Sequence, residues 1–195
     1  MKTTNLLCLF FFLVHFFCYA QTQIGADIDG EAAGDNLGLS ISLSSDGSVV
    51  AMGAYGNDGN GSNSGHVRVY QNISGIWTQI GDDIDGEAAG DRSGYSVSLS
   101  SDGTVMAIGA HENDGNGSNS GHVRVYQNVS GTWTQIGNDI DGEATGDNSG
   151  FSVSLSSDGA VVAIGAYNND GNGSNSGHVR VYQNASDTWT QIGAD

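Results

Sequence analysis

The residues best able to do chemistry in this 195-residue chain are acids set at alternating positions: Asp83-Ile-Asp85-Gly-Glu87, with Asp91 four residues beyond. The set recurs as Asp27, Asp29, Glu31 and Asp35, and again as Asp139, Asp141, Glu143 and Asp147. Hard carboxylate oxygens repeated along a short loop suit calcium, which is the cofactor this pattern would take. Glycine falls at the fourth place rather than the sixth of an EF-hand loop, and a solvated acidic turn is the competing reading. A second set, Asp114-Gly-Asn116-Gly-Ser118, is matched by Asp58, Asn60, Ser62 and by Asp170, Asn172, Ser174. Its oxygen side chains could wrap an ion, but the same composition makes any long exposed turn.

Histidines supply the other candidate chemistry. His66, His122 and His178 stand two residues before Arg68, Arg124 and Arg180, neighbours that an acid–base pair could use. A residue identical in every copy serves the scaffold, whereas an enzyme needs one reaction centre. These histidines are therefore read as structural, paired with loop acids. No nucleophile–histidine–acid set, no Cys–His pair and no phosphate-cradling glycine loop with its lysine is present. Zinc is not expected, because cysteine is absent from the repeats. Catalytic residues: none; the chain reads as a non-enzyme.

The elements that must position these residues come in copies. Gln23, Gln79, Gln135 and Gln191 each open the same Gln-Ile-Gly, which divides the chain into repeats at 23–78, 79–134 and 135–190 with the start of a fourth. Fixed-period self-similarity means stacked copies of one supersecondary unit. In the second copy, Tyr95-Ser-Val-Ser-Leu-Ser100 alternates apolar and hydroxyl residues, as a half-buried strand does. Asp102-Gly103 turns the chain into Val105–Ala110. A polar glycine-rich loop follows, then His122–Tyr126, then a short Asn-Ser-Gly loop and Thr132–Ile136. Four antiparallel strands per repeat, with no proline and no helical period, predict an all-β fold of β-propeller blades. A parallel β-helix is the runner-up, although its coils are usually much shorter. Rings usually carry about 4 to 8 blades, so three copies leave this one incomplete. The interrupted last repeat favours a fragment of a longer surface or extracellular protein over closure by other chains, and further blades in cis or another chain are the partners needed to close the ring.

Bulk properties narrow the setting. Residues 1–20 read as a signal peptide, with Lys2 before an apolar run and Ala20 at the cut, too short for a spanning helix. Cleavage predicts a secreted or cell-surface protein of residues 21–195. Both cysteines, Cys8 and Cys18, lie in this leader. No disulfide is left to stabilise the fold, so packing between repeats must do it. Loss of Lys2 takes the net charge from −17 to −18, with four arginines against twenty-two acids. Such a surface repels phosphate backbones and anionic membranes, which excludes nucleic acid and membrane insertion as partners.

Two short motifs carry a resemblance. Gly38-Leu39, Gly94-Tyr95 and Gly150-Phe151 occupy one position; Gly53-Ala54-Tyr55, Gly109-Ala110-His111 and Gly165-Ala166-Tyr167 occupy another. The pattern resembles the FG-GAP repeats that build the propeller of integrin alpha subunits and of many secreted bacterial proteins, with proline replaced in every copy. The resemblance implies the propeller fold and a bias towards extracellular adhesion or ligand binding. It also implies a calcium loop between the two motifs. This chain offers there only Ser44-Ser45-Asp46-Gly47 and the equivalents ending in Asp102-Gly103 and Asp158-Gly159. One carboxylate cannot assemble six to eight oxygens.

Differences between copies mark where function is free to specialise. They include Asn36/Arg92/Asn148, Leu39/Tyr95/Phe151 and Tyr55/His111/Tyr167, at strand ends and loops. Tyr55, Arg92, His111 and Tyr167 are the expected partner-binding residues, with neutral drift between copies as the plainer account. The leading function is a secreted, non-enzymatic binding or adhesion module for an extracellular protein or glycan. A purely structural spacer comes next, and a propeller hydrolase or lyase last, because every acid cluster here is repeated.

Overall fold

The structure, a computed structural model, describes residues 21–194; the expected leader lies outside them. Among the described residues there is no helix, and none is long and apolar enough to cross a membrane. The first sheet holds β1 (Ser40–Leu43), β2 (Val49–Ala54), β3 (His66–Ile73), β4 (Ile76–Gln79) and β5 (Ile84–Asp85). The second holds β6 (Ser96–Leu99), β7 (Val105–Ala110), β8 (His122–Val129), β9 (Thr132–Gln135) and β10 (Ile140–Asp141). The third holds β11 (Ser149–Leu155), β12 (Val161–Ala166), β13 (His178–Asn184) and β14 (Trp189–Gln191). Every ladder between these strands is antiparallel, the order within each sheet follows the chain, and successive first strands β1, β6 and β11 pack against one another. This is the predicted arrangement of propeller blades, and the described ring is open.

Two local features differ from the sequence reading. The third and fourth strands run closer together than a loop over Gln127–Gly131 implies, because Ser130 (φ 53°) and Gly131 (φ 89°) make a two-residue turn. Two successive positive φ values give the turn whose twist matches a hairpin. Ile84–Asp85 and Ile140–Asp141, expected as loop, instead pair with the starts of β3 and β8, because Ile84 and Ile140 are buried. The outer edge of each of these two blades is therefore shared by two short strands.

Each blade is covered by the next. Val49, Ala51, Val67 and Val69 of the first sheet meet Val97, Leu99, Met106 and Ile108 of the second, and a like cluster joins the second to the third. The serines that alternate with the apolar residues of each first strand point the other way and serve the following blade: Ser40 Oγ donates to the Gly94 carbonyl (2.8 Å), and Ser42 Oγ accepts from the Leu99 amide (2.9 Å). Arg124 Nη2 donates back to the Asp85 carbonyl at 2.8 Å, and Trp133 Nε1 to the Ile80 carbonyl at 3.0 Å. The two motif glycines meet at this junction. A Cβ on Gly53 would stand 1.8 Å from the Gly94 carbonyl oxygen of the next blade, so neither backbone could approach with a side chain between.

One end of the blades carries the tight Asp-Gly turns. The other carries the long loop between second and third strands and the linker that crosses to the next blade. There the linker is laced to the loop, with Gly90, Arg92 and Ser93 amides donating to the carbonyls of Ser62, Asn63 and Ser64. The motif residues and the acid sets all lie at this end.

Candidate functional site

A row of rings runs across this end from blade to blade. Tyr55, His111 and Tyr167 each follow a second strand, while Tyr95 lies just before the first strand β6 and Phe151 within the first strand β11. Centroid separations are 5.6 Å for Tyr55–Tyr95, 4.0 Å for Tyr95–His111, 5.0 Å for Tyr95–Phe151 and 4.3 Å for Phe151–Tyr167, all in tilted or edge geometry. Such contacts fix ring orientation and contribute about 0.5–1.5 kcal/mol each beyond the area they bury. Tyr167, at the open end of the row, is half exposed.

Arg92 borders the row. Its guanidinium lies 5.9 Å from the Tyr55 ring centroid, and Nε is 3.0 Å from Glu112 Oε2. Its backbone takes φ 55°, where the other copies have Asn36 (φ 55°) and Asn148 (φ 54°). Asparagine enters that region readily, whereas a long side chain rarely does. Arginine thus replaces the residue suited to this backbone, and strain of this kind gathers at functional positions. Asn148 uses its amide locally, donating to the His111 carbonyl at 2.9 Å. His111 itself is buried, and desolvation followed by the Arg92 charge lowers it to about 4. It joins the row as a neutral ring at pH 7. All four residues expected to bind a partner therefore belong to one continuous feature; Tyr95 and Phe151, which join them, were visible only as aromatic variants of one motif position.

The acid sets do not gather as single-loop cages. Asp35, Asp91 and Asp147 are buried, and Oδ2 of each accepts from a linker amide (Ala32, Ala88, Ala144) and from a loop asparagine (Asn57, Asn113, Asn169). Asp27, Asp83 and Asp139 each accept from the glutamine four residues earlier. Asp29, Asp85 and Asp141 offer their main-chain carbonyls to Arg68, Arg124 and Arg180. What does converge comes from successive loops. Glu31, His66 and Asp83 form one group, and Glu87, His122 and Asp139 another, with one ligand atom from each residue within 4.8 Å of the others. His122 Nδ1 lies 3.8 Å from Glu87 Oε2 and 3.6 Å from Asp139 Oδ2, while Arg124 Nη1 is 3.6 Å from Glu87 Oε1. Desolvation raises Glu87 above the usual carboxylate range. The sequence hides this grouping, because its members sit 35 and 52 residues from the first acid.

The remaining loops are occupied by their own backbone. Asp58, Asp114 and Asp170 each accept from an amide five residues on. Asn60 and Asn116 donate to linker carbonyls. Asp46 accepts from the Ser44 and Ser48 hydroxyls and the Ser48 amide, and these bonds lower it to about 2.

Fold and motif positions together define a repeat protein of propeller blades. Residues 84–126 and 140–182 match the family model for the FG-GAP repeat, and the chain is an FG-GAP repeat protein. A search of curated protein sequences found no match. Among solved structures, a candidate 6-phosphogluconolactonase of Bacteroides uniformis aligns at 14% identity with a TM-score of 0.52, over 78% of this chain and 38% of its own. Kuenenia stuttgartiensis hydrazine synthase aligns at 12% identity with a TM-score of 0.51, over 88% of this chain and 38% of its own. The chain thus spans well under half the length of either, and at these identities the likeness is one of fold alone.

Proposed function

We propose that this protein is a non-enzymatic binding or adhesion module that works outside the cell after export by its leader, and that the ring row is its contact surface. The observation that carries the reading is the run from Tyr55 through Tyr95, His111 and Phe151 to Tyr167, flanked by Arg92 in an unfavourable backbone state. Aromatic rings with an arginine at their border are what contact surfaces favour, and they suit an extracellular protein or the faces of a glycan. Repeated acid clusters supply no unique reaction centre. The open faces of the first and third blades ask for further blades, in the same chain or another.

A glycan array and a cell-surface binding assay test the proposal. The unmodified chain is expected to bind, and the combined Tyr55→Ala, Arg92→Ala, His111→Ala and Tyr167→Ala variant to lose binding while keeping its β circular dichroism. Equal binding by a folded variant removes the row as the contact surface. Absence of binding by the unmodified chain favours a structural spacer.

A further inference from the structure

We propose that a divalent transition metal of the zinc class is held where the incoming linker meets a blade, on a glutamate, a histidine and an aspartate: Glu31–His66–Asp83 at the entry to the first blade and Glu87–His122–Asp139 at the junction of the first and second. The absence of cysteine argued against zinc at the level of sequence, but imidazole nitrogen and carboxylate oxygen are zinc ligands too.

The first support is geometric. Zinc holds nitrogen and oxygen at roughly 2.0–2.2 Å in a tetrahedron, which puts its ligand atoms about 3.4 Å apart. The histidine Nδ1 atoms lie 3.7 Å from Asp83 Oδ2, and 3.8 and 3.6 Å from Glu87 Oε2 and Asp139 Oδ2. These separations are beyond hydrogen-bond length and within a few tenths of an ångström of a metal tetrahedron's edge. His178 Nδ1 stands likewise 3.7 Å from Glu143 Oε2.

The second support is burial. His66 is 1% exposed, as is His122. Nδ1 of His66 makes no hydrogen bond and faces the carboxylates, whereas Nε2, on the far side of the ring, is sealed in the sheet. A buried Nδ1 that no hydrogen bond reaches calls for an ion or a water. Arg124 approaches Glu87 through the other carboxylate oxygen, Oε1, leaving Oε2 towards the imidazole. Glu87 feels Asp139, Asp91 and Asp141 as well as this single positive charge. The exposed glutamate and half-buried aspartate leave a route for the ion and a fourth position for water. Calcium asks for six to eight oxygens and takes nitrogen poorly, so three donors including an imidazole select against it.

The consequence is mechanical. Glu87 belongs to the linker arriving from the first blade, whereas His122 and Asp139 belong to the second. A bound ion ties successive blades together in a protein whose repeats have no disulfide.

Zinc binding to the chelator-treated chain, followed by a chromogenic competitor and by thermal unfolding, tests this. At least two zinc ions per chain are expected, one for each described group, with a higher melting temperature that calcium at equal concentration does not reproduce. The Glu87→Gln, Asp139→Asn variant alters only partly exposed side chains, so it remains folded and loses one equivalent. Disturbing a metal's outer partners costs about 10–100-fold in affinity, and loss of direct ligands costs more. His122→Gln is expected to lose the same equivalent. Cobalt(II), bound in place of zinc, gives visible bands in the unmodified chain that weaken in the variant. No zinc uptake, equal uptake by the folded variant, or an equal response to calcium overturns the proposal.

Discussion

Leu43 and Leu99 occupy the same place in successive copies, yet Leu43 is 56% exposed and Leu99 only 7%. On the opposite blade face, Val67 and Val123 are fully buried while their third copy, Val179, is 64% exposed. Composition and local conformation are the same; the difference is whether a neighbouring blade is present. Covered junctions and open faces therefore teach that burial here is a property of the stack rather than of the repeat. Stability in such a chain is close to a sum of unit terms and nearest-neighbour terms. A single small repeat buries too little to stand alone.

The sharpest way to break this comparison is to truncate the same leucine twice. Leu99→Ala removes packing from a closed junction and is expected to cost about 2–5 kcal/mol. Leu43→Ala changes an exposed side chain and is expected to stay within about 0.5 kcal/mol. Urea unfolding monitored by tryptophan fluorescence measures both. Similar costs for the two would mean that the open face is covered in solution.

Acid separates the junctions next. His111 lies between Tyr95 and Phe151, where the outer copies have Tyr55 and Tyr167. In the folded state its value is lowered from the ordinary 6.5 to about 4 by burial and then by Arg92. Between those values the unfolded chain holds the extra proton, so stability falls as pH drops from about 6.5 and the loss is complete below about 4. The loss attributable to His111 amounts to roughly 3 kcal/mol. His111→Tyr, which restores the residue of the other copies, is expected to flatten that part of the profile. Melting temperatures of the two proteins from pH 7.5 to 4 give the comparison, and parallel curves would contradict the assignment.

These contrasts also show what the sequence could reveal. The blade strands were legible because Ser96-Val-Ser-Leu99 and its copies alternate, and the Asp-Gly turns because Asp102 bonds to its own loop as Asp46 does. The row of rings was half legible, since four of its members and border residues differ among copies at loop positions. Ile84 was read as loop because a two-residue strand has no period to recognise. The Glu–His–Asp groups were illegible for a deeper reason: their members come from a linker, a strand start and the segment between a blade's two outer short strands, and only the packing of the linker on the blade brings them together.

The motif glycines give a smaller but cleaner contrast. A Cβ on Gly109 would stand 2.0 Å from the Gly150 carbonyl oxygen of the next blade, a backbone atom that cannot step aside. Gly165, in the uncovered blade, would meet Ser152 Oγ at 2.4 Å, with the nearest backbone atom at an ordinary 3.7 Å, and a serine rotamer can change. Gly109→Ala is expected to cost about 1–3 kcal/mol through overpacking, and Gly165→Ala well under half of that. Adding one further copy of the repeat after the third should erase the difference, because Gly165 then faces a backbone of its own. Denaturant midpoints of the two variants, with and without the added copy, measure it.

The smallest effect lies in the hairpin that joins the last two strands of each blade. In the first two blades the second turn residue is glycine, Gly75 (φ 88°) and Gly131 (φ 89°), and pairing continues to Ile73↔Ile76 and Val129↔Thr132. The third blade has Asp187 at φ 60° after Ser186 at φ 52°, and its ladder stops at Asn184↔Trp189. An aspartate tolerates the left-handed region better than most side chains but still costs more than glycine there. The Ala185 and Thr188 amides already donate to each other's carbonyls, at 2.9 and 3.2 Å, so Asp187→Gly is expected to stabilise the chain by roughly 0.5–1 kcal/mol and to tighten this pair into the ladder. Amide hydrogen exchange at Ala185 and Thr188 reads the second effect: slower exchange in the variant means that the turn alone limited this hairpin. Unchanged exchange would move the cause to the missing neighbour, returning the third blade's shorter ladder to the same difference that separates Leu43 from Leu99.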